Sequence, residues 1–475
     1  MSDNYKLFLE KFRGQLPLGE CFDLLERKLV IGGRQARVYF VDGLTDAEKC
    51  QILLNFVLDV RPAEISDVHR ADDFLEKLFP YIAAETTCDV DTAVKKMYSG
   101  LTAMLVEGLD KIIIADTRDY PQRGVEEPSK EKTLRGAKDG FTESFMRNLG
   151  LIRRRIRDNR LIFKHFIVGE KSKTDVGVAY MKGACDEALL TRVESALNRI
   201  QLDSVSLSDQ TIVEQLEKEL YRGKGKSRRM MALNPFPKVR YTQRPDIVCA
   251  HLTEGKIAVI TDNSPTVLLL PVGIFDFTQD IDDYYFPLLT GNYLRLLRIL
   301  NMLVILFASP LYILITEGHM DAPFDMDFIV PKDPYALSIF WQFVLLEIAV
   351  DGLKLASLNT PESLGTSLSV IGALILGDFS IDAGWFIPQT ILVMAVVALA
   401  SFTQPSIELS YGIKFIRVIM LIGAYLGGVP GVIAGAAVSF LIVSTTKTIS
   451  GSSYLYPLIP FNGHALKKLL LRTSK

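Results

Sequence analysis

Glu347, Asp351 and Lys354 stand at i, i+4 and i+7 in a stretch that is otherwise apolar, Ala336–Leu355. That spacing puts all three on one helix face. Ionisable side chains inside an apolar span are costly, and they face protein or water rather than lipid. Either the charges snorkel from a helix end near a polar boundary, or they form an ion vestibule or an inter-subunit pair. A second set follows at once, in Leu364–Gly377 (LGTSLSVIGALILG). Gly365, Ser369 and Gly372 share one face, with Thr366, Ala373 and Gly377 beside them. Small residues let helices approach closely in lipid. The same stripe could line a pore, polar at Thr366 and Ser369 and narrowing to an apolar constriction at Leu376 that gates by dewetting.

The elements that would position these residues divide the chain of 475 residues in two. Residues 1–290 are charged, with helix and strand patterns interleaved. From about 295 to 462 the chain is a succession of apolar segments. Leu296–Thr316 offers the ~20 residues needed to cross a hydrocarbon core of about 30 Å. The other segments are Ala336–Leu355, Leu364–Leu376, Phe386–Phe402, and a pair from Ile413 to Leu426 and Val429 to Thr445. Gly427-Gly428-Val429-Pro430-Gly431 either turns that pair into a hairpin or kinks one long helix. Glycines recur at 423, 427, 431 and 435, a close-packing pattern. The expected fold is multi-domain: an N-terminal cytoplasmic α/β part of two subdomains, then an all-α transmembrane helix bundle of four to six segments. The expected boundaries are a helical arm at 1–30, subdomains at 31–120 and 121–285, the transmembrane domain at 296–446 and a cytoplasmic basic tail at 447–475.

Orientation follows from basic residues. Arg295 and Arg298 precede the first span, and Lys467, Lys468, Arg472 and Lys475 close the chain. Both ends are therefore expected on the cytoplasmic side, with an even number of crossings. Lys414 and Arg417 then fall on the inner side. The start of the chain, MSDNYKLFLEKFRGQL, lacks the apolar run of a signal peptide.

Within the first half, Arg37–Val41 reads as a strand and Thr45–Glu48 as a capping box. The helix that follows is expected to bury Ile52, Leu53, Phe56 and Val57. Thr102–Val106, Lys111–Ala115, Leu161–Val168, Val176–Met181, Ile257–Thr261 and Val267–Leu270 read as strands. Helices are expected near Asp186–Ile200 and Ser208–Leu220. A stripe of Phe141, Phe145, Leu149, Ile152 and Ile156 marks another amphipathic helix. Its basic run, Arg153-Arg154-Arg155-Ile156-Arg157, reads as a solvated face, with contact to anionic lipid headgroups or a partner's acidic surface as the alternative.

Several chemistries find no support. Gly225-Lys226-Ser227 lacks the earlier glycine and leading strand of a phosphate loop. The five histidines are scattered and the five cysteines form no C-x-x-C pair, so no metal and no cofactor is expected. A net charge of −2 gives no reason to expect nucleic acid as a partner. No nucleophile–base pairing stands out, and an enzyme is not expected.

Arg135–Ser144 (RGAKDGFTES) and Asn148–Ile156 (NLGLIRRRI), with Arg244-Pro245-Asp246, Glu254-Gly255-Lys256 and Asp262–Pro265, resemble the GerA family of spore germination proteins, A-subunit type. The resemblance runs from about Val30 to Phe461. Asn234–Thr242, Val350–Pro361 and Tyr454–Asn462 are most similar to one sporulation branch of that family. Nutrient-receptor A subunits carry a Glu-Ala-Gly stretch where Val350–Pro361 lies, so the resemblance points away from direct nutrient sensing. It implies an integral protein of the inner spore membrane and a homo-oligomeric ring, a pentamer, that conducts ions. It also implies germinant receptor subunits, dipicolinate channel proteins and membrane lipid as partners. Two alternatives stand beside conduction: a non-conducting scaffold or regulator of dipicolinate release, and a nutrient germinant receptor A subunit.

Overall fold

The computed structural model describes residues 2–79, 81, 83–120, 131, 135–200, 208–220, 234–280, 282–321, 329–331, 335–359, 372, 377 and 380–472. Two compact units emerge: residues 1–228 with 239–271, and residues 229–238 with 272–475.

The first unit holds two five-stranded sheets. One has the order β1 (Leu24–Ile31), β2 (Arg34–Val41), β4 (Thr102–Val106), β5 (Ile112–Ala115), β3 (Ala84–Thr87); the other runs β6 (Leu161–Val168), β7 (Thr174–Met181), β9 (Ile257–Thr261), β10 (Val267–Leu270), β8 (Arg240–Thr242). All neighbours pair antiparallel. The two strand orders are the same permutation, and each sheet follows the pattern strand, strand, helix, strand, helix, strand, strand. The punctuation repeats as well. Gly43 and Gly183 each stand two residues past the second strand of their sheet, and Gly100 and Gly255 two residues before the fourth. All four have positive φ, the backbone region that glycine enters without a Cβ penalty. Asp46 and Asp186 cap the helices that follow those second strands, each accepting two backbone N–H bonds. The first unit is thus one supersecondary pattern used twice.

Several local expectations shift. Residues 1–30 are not a helical arm throughout: helix Ser2–Gly14 ends early and Leu24–Ile31 is strand β1. Gly32 and Gly33, both at positive φ, turn it tightly onto β2. Of its adjacent charged residues, Arg27 and Lys28 are exposed, while Glu26 is largely covered and accepts from the buried Tyr39 hydroxyl at 2.7 Å. The cap of helix Ala47–Leu58 is Asp46, not Thr45, whose hydroxyl donates to the Val41 carbonyl instead. Leu53 and Val57 are buried, but Ile52 and Phe56 are exposed. The second sheet ends at Leu270, so residues 272–285 fall in the helical unit rather than the second subdomain. Residues 225–227 lie outside the described residues.

The second unit is helical: Leu288–Thr316, Ile339–Asn359, Pro388–Phe402, Ile407–Thr445 and Gly463–Leu470. Leu288–Thr316 and Ile407–Thr445 are long and apolar enough to cross a membrane, and Pro388–Phe402 is a shorter apolar helix. Tyr312, Phe343, Leu346, Met394, Val397, Leu421 and Ala424 pack together inside.

The long last segment reverses. Gly428 leaves the helical region (φ 55°, ψ −138°). A Cβ on Gly431 would overlap the Gly423 carbonyl, and one on Gly435 would lie 3.1 Å from Met420 Cα. Residues eight apart on a continuous helix stand ~12 Å apart. Residues 407–427 and 429–445 therefore form an antiparallel hairpin, zipped where glycines let the backbones touch. Gly427, at the tip, meets nothing within 4 Å. Gly431→Ala should cost about 1–3 kcal/mol through overpacking against backbone, while Gly427→Ala should be close to neutral. Comparing the yield and thermal midpoint of monodisperse detergent-solubilised protein checks the difference.

Candidate functional site

Glu347 and Asp351 lie on helix Ile339–Asn359, eight and twelve residues from its start. Their partners come from the first arm of the hairpin. The Arg417 guanidinium pairs with Glu347, and the Lys414 ammonium reaches Glu347 at 3.2 Å and also pairs with Asp351. Arg417 donates further to the Ile305 carbonyl at 3.1 Å. Ile305 sits eleven residues, roughly 16 Å, from the Thr316 end of its helix. Nearby Pro310 removes the N–H that the Leu306 carbonyl would accept, loosening the helix there.

The Arg417 side chain is 4% exposed and that of Glu347 9%, whereas Asp351 and Lys414 are partly open. Two carboxylates thus meet two cations in a ladder that deepens from Asp351 through Lys414 and Glu347 to Arg417. Its charge balances, which an apolar interior requires. Lys354 does not join it. Its ammonium lies over the rings of Phe402 and Tyr411, 5.1 and 5.9 Å from their centroids. That cation–π seat leaves the charged tip at the end of helix Pro388–Phe402.

The sequence reading found the acidic side of this ladder and missed the basic side. Lys414 and Arg417 are a pair at i, i+3, matching two acids at i, i+4 on another apolar helix. That complementarity was the available signal. The sequence alone leaves Glu347 and Asp351 as snorkelling charges, an ion vestibule or an inter-subunit pair, and sets Lys414 and Arg417 only on the inner side. The structure pairs the four within one chain.

Of the small-residue stripe, Gly365, Thr366, Ser369, Ala373 and Leu376 lie outside the described residues. Gly372 is buried, and a Cβ on it would stand 2.9 Å from Leu353 Cδ2. This places Gly372 against the helix that carries the ladder, two residues from Asp351 in register.

A second buried charge cluster marks the start of the first long helix. Asp283 is fully buried, and Arg298 donates to both of its oxygens at 2.7 Å. Arg295 approaches the same carboxylate at 3.5 Å and donates to the Leu469 carbonyl at 3.0 Å. Arg472 donates to the Asp283 and Phe286 carbonyls and exchanges hydrogen bonds with Asn292. The end of the basic tail, at Leu469 and Arg472, is therefore tied to the start of Leu288–Thr316. Two separate motifs meet elsewhere in this unit: Asn234 donates to Thr446 at 2.6 Å, and the Tyr454 hydroxyl donates to the Pro237 carbonyl at 2.7 Å.

The α/β unit has its own buried ion pair, at a residue expected to be solvated. Arg153 and Asp23 are each 1% exposed and joined by two contacts of 3.0 Å. Arg153 also donates to the Leu161 carbonyl and stacks between Tyr98 and Phe163. Arg154 is exposed beside the Tyr120 ring, and Arg155 pairs with Asp139, so only part of the basic run faces water. Cys21 lies against this pair, and burial first, then Asp23, pushes its thiol up to about 12. Among the described residues, no group of three or more His, Cys, Asp or Glu could hold a metal ion.

A twice-used α/β pattern followed by long apolar helices defines an α/β part joined in sequence to a helical part with two candidate membrane spans. The chain belongs to the GerA family: the model described as Bacillus/Clostridium GerA spore germination protein matches residues 13–475. It is 33% identical to Stage V sporulation protein AF of Bacillus subtilis (strain 168), over 98% of this chain and 92% of that one. Spore germination protein A1 of the same organism is 28% identical over 96% of this chain and 90% of its own length. Among solved structures, the N-terminal domain of the A subunit of the Bacillus megaterium spore germinant receptor GerK3 is 23% identical, covering 57% of this chain and 94% of that one with a TM-score of 0.39.

Proposed function

We propose that this protein works in spore germination as an ion-conducting component of the inner spore membrane. In this reading the α/β unit and the C-terminal segment face the cytoplasm or spore core. The helical unit crosses the bilayer as an all-α bundle and assembles as a homo-oligomeric ring. Its partners are germinant receptor subunits and dipicolinate channel proteins. Family membership and the germination and sporulation names of its relatives support the setting.

The observation that carries conduction is the Asp351–Lys414–Glu347–Arg417 ladder. Burying paired charges among apolar helices is often no better than neutral for stability, and well-packed apolar groups would hold the helices as well. Charges kept among apolar helices at a cost fit an ion path. Leu364–Gly377 is the proposed lining, with Gly365, Thr366, Ser369, Gly372 and Ala373 on its narrow face and Leu376 as a dry constriction at rest.

The scaffold reading has one observation in its favour: Gly372 packs on Leu353, as a purely structural small residue would. A nutrient-receptor A subunit is the remaining alternative. Potassium efflux from liposomes carrying the purified protein separates the first two. Leu376→Ser should wet the constriction and raise resting efflux severalfold over wild type. Equal efflux with equal oligomer size would remove the lining and favour the scaffold.

A further inference from the structure

The C-terminal segment carries an exposed apolar surface that the bundle does not use. Tyr456, Leu458, Ile459 and Phe461 are exposed, Phe461 at 75%. Helix Gly463–Leu470 follows at once, capped by Asn462, whose side chain accepts from the Ala465 N–H. Leu466 and Leu469 are half-buried, while Leu470 and Leu471 are exposed beyond them.

This segment is fixed in place. Arg295 binds the Leu469 carbonyl, and Asn292 and Arg472 hold each other. It therefore sits at the first turns of Leu288–Thr316, where Tyr284, Leu289 and Tyr293 are also exposed, Leu289 at 84%. Tyr284 lies between the guanidinium groups of Arg295 and Arg472. Exposed Leu470 and Leu471 thus stand beside the exposed side chains at the charged start of the first long helix, and residues 456–461 lead into the helix that carries them.

Charge identifies what covers this surface. Residues 447–475 contain Lys447, Lys467, Lys468, Arg472 and Lys475 and no Asp or Glu. Aromatic and leucine side chains in a segment with basic residues and no acid of its own, at the end of an apolar helix, match the headgroup zone of an anionic leaflet. We propose that residues 456–471 form an in-plane collar. The collar inserts Leu458, Ile459, Phe461, Leu470 and Leu471 shallowly into the membrane, and Lys467 meets anionic headgroups. The proposal rests on the reading of Leu288–Thr316 as a membrane span.

The test uses full-length protein with Trp341→Phe and Trp385→Phe, which removes both native tryptophans. Phe461→Trp is then the reporter, with Leu458→Trp as a second reporter in case the first misfolds. Leu303→Trp, on the outside of the first helix, is the control. The proteins are reconstituted in vesicles containing phosphatidylglycerol, with lipids brominated either near the headgroup or deep in the chain. The collar predicts strong quenching of the reporter by shallow bromines, severalfold above deep ones, while the control is quenched by deep bromines. Lys467→Glu should reduce shallow quenching severalfold in anionic vesicles and leave it unchanged in phosphatidylcholine. A quenched control with an unquenched reporter overturns the collar alone. A reporter that is blue-shifted yet unquenched means a protein surface covers the segment, which overturns it equally. An unquenched control removes the span and the collar together.

Discussion

Glu347→Gln destabilises the helical unit by about 3–5 kcal/mol, the loss expected when one member of a buried ion pair is removed. Glu347 is the one carboxylate that Arg417 pairs with among the described residues. Without it the guanidinium keeps the Ile305 carbonyl but no counter-charge. Arg417→Met should cost less, because Glu347 retains Lys414 at 3.2 Å. Asp351→Asn should cost about 1 kcal/mol or less, since that side chain is partly open and Lys414 keeps Glu347. The double variant Glu347→Gln with Arg417→Met should recover most of the loss, because no orphan charge remains. Thermal midpoints of the detergent-solubilised protein give this order directly. Glu347→Gln no less stable than Asp351→Asn would mean that water reaches Arg417 and the ladder is not buried.

Arg153→Met produces a loss of similar size in the α/β unit. Asp23 then stands buried and unpaired beside Cys21, and the expected penalty is again about 3–5 kcal/mol. Arg153→Lys should recover little of it, since a single ammonium cannot reproduce the two-point contact with Asp23. Cys21 reports the change. Its thiol is buried and held protonated, so a thiol reagent reaches it only when the region opens. A loss of 3–5 kcal/mol raises that opening by about two to four decades. Mass mapping of Cys21 labelling, with exposed Cys88 replaced by Ser, measures the rate. Unchanged labelling in Arg153→Met would place the stability of this unit elsewhere.

How far these features were legible in the sequence depended on range. The apolar runs of β4, β5, β9 and β10 announced themselves, because strands buried on both faces need continuous apolar residues. The helix Ser208–Leu220 showed its period equally plainly. Strand β1 did not, since Leu24–Ile31 carries three adjacent charged residues and becomes a strand through the Gly32-Gly33 reversal and pairing with β2. Arg153 was misread because its partner, Asp23, lies 130 residues earlier, and no local pattern distinguishes a buried arginine from its exposed neighbour Arg154. The candidate site was half visible for the same reason. Glu347 and Asp351 advertise a charged face by spacing, but the cations that answer it arrive from a helix more than sixty residues away. Glycine spacing at 423, 427, 431 and 435 implied close packing. Which surfaces met became clear only from the backbone contact between Gly423 and Gly431.

The most direct test of the account asks whether the ladder lies on the path of ions. Liposomes carrying the Leu376→Ser protein, with and without Asp351→Asn, are loaded with potassium and efflux is followed. The account predicts efflux well above that of empty vesicles for Leu376→Ser, and a severalfold change when Asp351→Asn alters the charge at the ladder's open end, with oligomer size unchanged. Efflux from the Leu376→Ser protein no faster than from empty vesicles, or unchanged when Asp351→Asn is added, would contradict it.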